Sequence, residues 1–457
     1  MRIFWTDSKR RLACVTTLLV AAALTGCGAI HKQGIPYPFA PDPPFGQIVR
    51  EIRLEGNKNT RESVLRDNLA SVVGQPYTEK NALKDYRRLF QLGVFTRLEF
   101  RTEAVEDGIA LIVSMDEVNP YLPTLSFSIT QENGLSLGPS VSSPNLFGRS
   151  TKASLSALFG GSTYFGLRFR DLWRRDTEWF GCCYDFQLFH RQRRNKLDNF
   201  DEKSTEIFFQ WLYTVSERFH LGPRVMWIQL DAKNDSLGNR PPVTLNPDGP
   251  DRIPGLGFAA EFDTRNLTTY PTTGWYAMLD GTQNGGFLGG PADYFRVNAD
   301  VRGYFELSGP KHSLALYSLA TMTSGEVGVD IPIHQDFHIG GTNSVRGWSL
   351  DAREGKNQFL NTVEYWYAVV PLSAYRIWFI RFAMGLQLAA FADIGTAWNN
   401  SQEFTDNWIG GGGFGLRLII PQSVMVRFDV AVGQPGMRLT FHVGGNEKAY
   451  AQKQRVR

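Results

Sequence analysis

The stretch Phe337-His338-Ile339-Gly340-Gly341-Thr342-Asn343-Ser344-Val345-Arg346-Gly347-Trp348 is the part of the chain whose residue types most plainly serve a purpose. Gly340, Gly341 and Gly347 allow tight backbone turns, and Val345 and Trp348 offer apolar packing around one permanent cation, Arg346. A segment of this make-up could fold back into a barrel around that cation, and Glu364 and Asp393 are acids whose placement decides whether it finds partners there. Bond-making chemistry has no such support. There is no Ser elbow, no HExxH and no Cys/His ligand spacing, and His334 and His338 sit in a Gly-rich stretch rather than on a helix. No cofactor and no metal are read from the chain, and Asp and His residues on connecting loops leave a barrel enzyme only as a third reading.

The elements that must position these residues are strands. Phe295, Val297, Ala299, Val301, Gly303, Phe305 and Leu307 alternate with Arg296, Asn298, Asp300, Arg302, Tyr304 and Glu306. Val424 to Val432 alternates in the same way with Arg427 and Asp429, and Met437 to Val443 with Arg438, Thr440 and His442. One apolar face and one ionic face on every strand predict a membrane barrel. Strands are expected near 122–130, 135–142, 150–159, 162–172, 180–192, 203–214, 217–230 and 254–264, then 272–285, 291–307, 311–323, 356–370, 380–396, 409–420, 422–432 and 436–444. The long connections 231–253, 324–355 and 397–408 fall at one end, and 308–310, 371–379 and the break at Pro421 at the other, which is the asymmetry of an outer-membrane barrel. Phase then places the acids: Leu386, Leu388 and Ile394 share the lipid face, so Phe391 and Asp393 point into the lumen, and Glu364 opposes Val363 and Tyr365.

The N-terminus predicts export. Arg2, Lys9, Arg10 and Arg11 precede an uncharged apolar run, Leu12 to Gly26, too short to span a bilayer permanently. Leu24-Thr25-Gly26-Cys27 looks like a lipobox, which would make Cys27 the acylated first residue of a lipoprotein; an ordinary secretory signal with a chance Cys is the plainer alternative. Pro36, Pro38, Pro41, Pro43 and Pro44 form a semi-rigid tether. With Cys14 and Cys27 at the signal, only Cys182 and Cys183 remain, and neighbours on a strand face opposite ways, so no disulfide framework exists. The formal charge of +3 is spread along 457 residues, which excludes the concentrated basic patch that nucleic acid needs.

Residues 46–118 carry a different rhythm. Ile48, Ile52 and Leu54 lead into Gly56-Asn57; Val64, Leu65 and Leu69 share one helical face; Thr78 caps a second helix with Leu83, Tyr86, Leu89, Phe90 and Leu92 on its buried side, stopped by Gly93. Two strands, 95–102 and 108–118, complete a β-α-α-β-β unit. The fold class is therefore an all-β transmembrane barrel of about 16 antiparallel strands preceded by one small α+β domain. The division expected is 1–27 signal peptide, 28–45 tether, 46–118 α+β domain, 119–445 barrel and 446–457 basic tail.

The α+β unit resembles a POTRA domain in Gly74-x-Pro76-Tyr77, Leu83, Leu89 and Gly93-Val94-Phe95. Val345-Arg346-Gly347-Trp348 resembles the Val-Arg-Gly-aromatic loop of the outer-membrane protein insertase superfamily, the bacterial surface antigen family. Asp263-Thr264-Arg265 to Pro271-Thr272-x-Gly274 is similar to that family's periplasmic turn, Phe391-x-Asp393-x-Gly395 to its acidic strand motif, and Gly415-Leu416-Arg417 with Arg427-x-Asp429 to its closing strands. The resemblance covers residues 46–445 and implies a loop dipping into the lumen, with Arg346 pinned to acids on nearby strands. It also implies a factor assisting insertion of client barrels, with outer-membrane lipid, unfolded clients and periplasmic accessory proteins as partners. The single POTRA, the lipobox and the tail beyond Gly444 depart from the main assembly protein and leave a polypeptide secretion pore as the alternative. Under the insertion reading the barrel opens sideways at a seam between its first and last strands, weakened by Pro123 and by the start of the last strand after Pro435-Gly436.

Overall fold

A computed structural model describes residues 33–34 and 43–445, apart from 131–132, 172–181, 196–199, 217, 234–242, 247–248, 267–270, 310, 351, 378–379, 421–423 and 435–439. Cys27, Gly436 and the C-terminal tail lie outside the described residues.

The N-terminal unit comprises β1 (Val49–Glu55), α1 (Glu62–Asp67), α2 (Glu79–Gln91), β2 (Phe95–Val105) and β3 (Gly108–Glu117). β3 lies in the middle of its sheet, parallel to β1 and antiparallel to β2. The helices bury one stripe each, Leu65 from α1 and Ala82 and Leu89 from α2, against Phe100, Leu111 and Val113 of the sheet. Thr78 caps α2 by accepting from the Asn81 N–H at 3.2 Å, and Gly93 takes the positive φ that ends it. Asp85 is a buried acid in this small core. It accepts the N–H groups of Ala70 and Ser71 and so ties the loop after α1 to α2. Burial pushes its carboxyl above the ordinary range, against those hydrogen bonds and the Arg88 charge.

Sixteen strands form the barrel: β4 (Leu122–Thr130), β5 (Gly134–Leu146), β6 (Thr151–Gly160), β7 (Ser162–Asp171), β8 (Cys182–Asn195), β9 (Phe200–Ser216), β10 (Phe219–Lys233), β11 (Asp251–Asp263), β12 (Gly274–Gly285), β13 (Asp293–Glu306) and β14 (His312–Thr323), then, after the small loop strands β15 (Phe337–Ile339) and β16 (Arg353–Gly355), β17 (Asn357–Ile377), β18 (Ile380–Trp398), β19 (Ile409–Ile420), β20 (Val424–Val432) and β21 (Thr440–Gly445). Chain neighbours pair antiparallel throughout, and the sheet order closes by bringing β21 beside β4. The polarity is inverted relative to a soluble sandwich. Leu388, Ile394, Phe414 and Phe428 are exposed, with Phe414 at 74%, whereas Arg224, Arg417 and Asp429 on alternating positions are 2% exposed or less. Such an exterior is stable only against lipid, and closure of the sheet satisfies the backbone there.

One strand departs from the sequence expectation. β17 runs on through 371–377, where a loop was expected, although Pro371 cannot donate to a ladder. Its partner β14 ends at His312 opposite Tyr367, so beyond that point β17 is an edge, and the register shifts between Ala368 and Ser373 absorb the proline in bulges. The two-residue strand Gln33–Gly34 pairs with Ala374 and Ser373 on this extension.

The N-terminal unit is docked on two turns at its end of the barrel. Gln91 Nε2 donates to the carbonyls of Arg265 and Asn266 at 3.2 and 2.9 Å, Asn145 Nδ2 donates to Thr60 Oγ1 at 2.8 Å, and the Arg61 N–H donates to the Gly148 carbonyl at 3.0 Å. The first of these turns is stiffened from within, because Asp263 accepts from both the backbone and the guanidinium of Arg265, the latter at 2.6 and 2.9 Å.

Candidate functional site

The connection between β14 and β17 is folded into the barrel. β15 and β16 pair to form its stem, and Ser344 Oγ bridges Gly340 by accepting its N–H and donating to its carbonyl, both at 2.7 Å, which turns the tip over. Val345 and Ile339 then pack with Leu319, Leu360, Ala397 and Ile409 of the wall. These apolar contacts set the depth at which Arg346 enters.

Arg346 is fully buried. Its Nε and Nη2 donate to the two oxygens of Asp393 on β18 at 2.7 and 2.8 Å, a bidentate fork, and its own backbone N–H adds a third bond to Asp393 at 3.1 Å. Nη1 lies 2.8 Å from Glu364 of β17 and 3.0 Å from Asp429 of β20. The Phe391 ring stacks beneath, 3.4 Å from the guanidinium carbon to the ring centroid. The acids have further partners: Thr362 Oγ1 donates to Asp393 at 2.8 Å, Trp366 Nε1 donates to Glu364 at 2.8 Å, and Arg417 of β19 pairs with Glu364 at 3.2 Å and with Asp429. Arg427 stands across the ladder from Arg417, so three buried guanidiniums face three buried carboxylates, and the cluster is neutral as a whole.

Gly347 is required where it stands. Its φ is +94°, and a Cβ there would lie 2.5 Å from the Val432 carbonyl carbon and 2.7 Å from the Gly433 nitrogen. The loop backbone thus lies against the end of β20, fixed by Gln434 N–H to the Gly347 carbonyl at 3.1 Å and by Trp348 Nε1 to the Gly410 carbonyl at 2.7 Å.

Of the residues singled out in the sequence, Arg346, Gly347, Glu364, Phe391 and Asp393 come together in this one place. Asp429, Arg417, Thr362 and Trp366 belong to it as well and were not assigned to it. The signal for Asp429 was available, since its phase on an alternating strand points inward. Pro123 lies apart from the cluster, in β4 opposite Val141 of β5. Among the described residues no group of three His, Cys, Asp or Glu side chains is placed to hold a metal ion.

A family model described as the Omp85 superfamily domain matches residues 145–446. The chain belongs to the Omp85 superfamily. A second model, POTRA, surface antigen variable number repeat, matches residues 47–118, which is the α+β unit docked beneath this Omp85 barrel. Among its relatives, the outer membrane protein assembly factor BamA of Nitratidesulfovibrio vulgaris is 24% identical over 387 residues, 79% of this chain and 45% of that protein. BamA of Neisseria meningitidis serogroup B is 23% identical over 411 residues, 79% of this chain and 47% of that protein. The chain therefore spans about half the length of these relatives. BamA from Haemophilus ducreyi lacking POTRA domains 1-3 has the same fold with a TM-score of 0.55 at 17% identity, covering 92% of this chain and 90% of that one. CdiB from Acinetobacter baumannii also gives 0.55, at 13% identity, covering 88% and 73%.

Proposed function

We propose that this Omp85 protein is an outer-membrane assembly factor: its POTRA domain in the periplasm receives unfolded barrel polypeptides, and its barrel seam templates their insertion. The observation that carries this reading is the closing joint of the barrel. β21, described over Thr440–Gly445, closes the sheet on β4, and β4 contains Pro123, which supplies no N–H to any ladder. A joint that lacks a ladder donor at Pro123 can separate and offer strand edges to a client. The POTRA sheet supplies a second edge close by. β1 is covered at its start, where Val49 N–H donates to the Gln75 carbonyl at 2.9 Å, whereas among the described residues no strand pairs with the outer edge of β2. An extended client can add there by β-augmentation. No catalysis is assigned to the chain; the work is positional.

Depletion of the protein tests this. Folded barrel proteins should fall across the outer-membrane proteome and unfolded ones should accumulate. An unchanged barrel proteome with loss of one large secreted polypeptide would overturn the insertion reading. That second outcome belongs to a secretion pore with a plug loop, a reading favoured by the charged lumen, where Arg224 of β10 and Asp280 of β12 form a buried pair across β11.

The proposal includes a lipid anchor at Cys27, from the lipobox and the Pro-rich tether. Labelled palmitate should enter the wild type and not Cys27→Ala. Equal labelling of the two would exclude the anchor.

A further inference from the structure

A second buried guanidinium holds the same loop from another wall of the barrel. Arg296 lies on β13, the tenth strand of the closed sheet, and is buried. Its Nε donates to Thr323 Oγ1 at 3.1 Å, Nη2 to the Gln335 backbone carbonyl at 3.0 Å and Nη1 to Gln335 Oε1 at 3.3 Å. Its guanidinium carbon lies 5.1 Å from the Tyr294 ring centroid and 4.8 Å from that of Phe337. These contacts sample the incoming limb of the loop in order. Thr323 ends β14, Gln335 closes the 3-10 turn Ile333–Gln335, and Phe337 begins β15. Thr323 is itself tied to the loop's exit, donating its N–H to Asn357 Oδ1 and its hydroxyl to the Lys356 carbonyl, both at 2.8 Å.

The two anchors share no partner. Arg346 is held by Asp393, Glu364 and Asp429 on β18, β17 and β20, and β20 is next to the last strand of the barrel. Arg296 bonds instead to Thr323 and Gln335, and it stands six strands from β21 in the sheet order. We propose that Arg296 is a positioning residue that keeps the incoming limb, 324–339, fixed to the rigid wall while the Arg346 tip docks and releases with the seam strands. The loop then works as an arm with a hinge at the Gly340-Gly341 turn, where both glycines have positive φ, rather than as a plug that leaves the lumen entire. The release step rests on the assembly reading above; the two-anchor arrangement does not.

The chemistry predicts unequal substitutions. Gln335→Ala removes the longer of the two bonds from Arg296 and the amide's bond to His334 Nδ1 but leaves the backbone carbonyl, so it should loosen the limb far less than Arg296→Gln. Arg296→Gln removes the charge and the stacked plane between two rings. Arg296→Lys keeps the charge but reaches one acceptor, and should rescue in part.

Hydrogen exchange resolved by peptide on the full chain in detergent micelles reads both limbs at once, with heat-modifiable migration on a gel showing that each variant barrel is folded. Arg296→Gln should raise exchange about tenfold or more in 324–339, on the scale of a lost charge-assisted bond, and leave 342–349 as in the wild type. Arg346→Gln should do the reverse. Equal loosening of both limbs in either variant, or an unchanged 324–339 segment in Arg296→Gln, would overturn the second anchor. Failure of the assembly reading would show instead in the depletion experiment, with this exchange pattern intact.

Discussion

Replacing Arg346 by alanine is expected to undock the loop tip and to cost more function than any other single substitution in the barrel. The residue supplies one of three positive charges facing three carboxylates, all of them buried, so its loss leaves an excess negative charge with no solvent to screen it. Removing one partner from a buried ionic cluster costs roughly 3–5 kcal/mol, and here three acids lose a donor at once. Asp393 fares worst, because it accepts two of the guanidinium's bonds. The energy falls on the docked state of the loop, since the strands that carry the acids are held by their own ladders. Arg346→Lys keeps the charge but has no planar fork to span Asp393 and reach Asp429, so it should recover only part of the docking. Asp393→Ala should be milder than Arg346→Ala, because Glu364 and Asp429 still hold Nη1 at 2.8 and 3.0 Å. The double variant should be little worse than Arg346→Ala alone, as groups in one network are not additive. Protease access to 340–350 from the cell exterior, measured with client assembly, checks this. A tip as protected in Arg346→Ala as in the wild type would contradict it.

Much of this cluster was legible because strands in lipid cannot slip phase. A one-residue shift on β18 would carry Asp393 into hydrocarbon and Leu388 into the lumen, so alternation alone placed Asp393, Phe391 and Glu364 inward. The loop's glycines and its single arginine pointed to a tight turn around a cation. What alternation does not contain is which inward acids share one level of the barrel. Asp429 and Arg417 face inward as their phase requires, yet their meeting with Arg346 depends on the stagger of β18, β19 and β20, which the ladder sets and no single strand records. The extension of β17 past Pro371 was hidden for a related reason. Proline argues against a paired strand, but not against an edge with bulges, and the edge exists only because β14 stops at His312. The docking of the POTRA domain through Gln91 onto the Arg265 turn joins residues far apart in sequence through backbone carbonyls, which carry no side-chain signal at all.

Locking the seam is expected to abolish assembly while leaving the barrel folded. The joint of β21 with β4 is where the two ends of the barrel sheet meet, the other neighbours in it being consecutive barrel strands. Pro123 removes a ladder donor from this joint, and the account places thermal opening there. Opening exposes two strand edges inside the membrane, which a client strand can satisfy as readily as the barrel's own. The Arg346 tip lies against β20, the strand next to β21, so docking of the loop braces the joint from within. A covalent link across it removes the opening but none of the luminal cluster, and thereby separates a lateral route from a luminal one.

The decisive measurement is client folding into lipid vesicles that contain the purified full chain, with one engineered cysteine in Leu122–Thr130 and one in Thr440–Gly445, compared oxidised and reduced. The assembly account predicts that the reduced protein accelerates folding of an added unfolded outer-membrane barrel, that oxidation abolishes the acceleration, and that reductant restores it. Undiminished acceleration with the seam crosslinked would contradict the account.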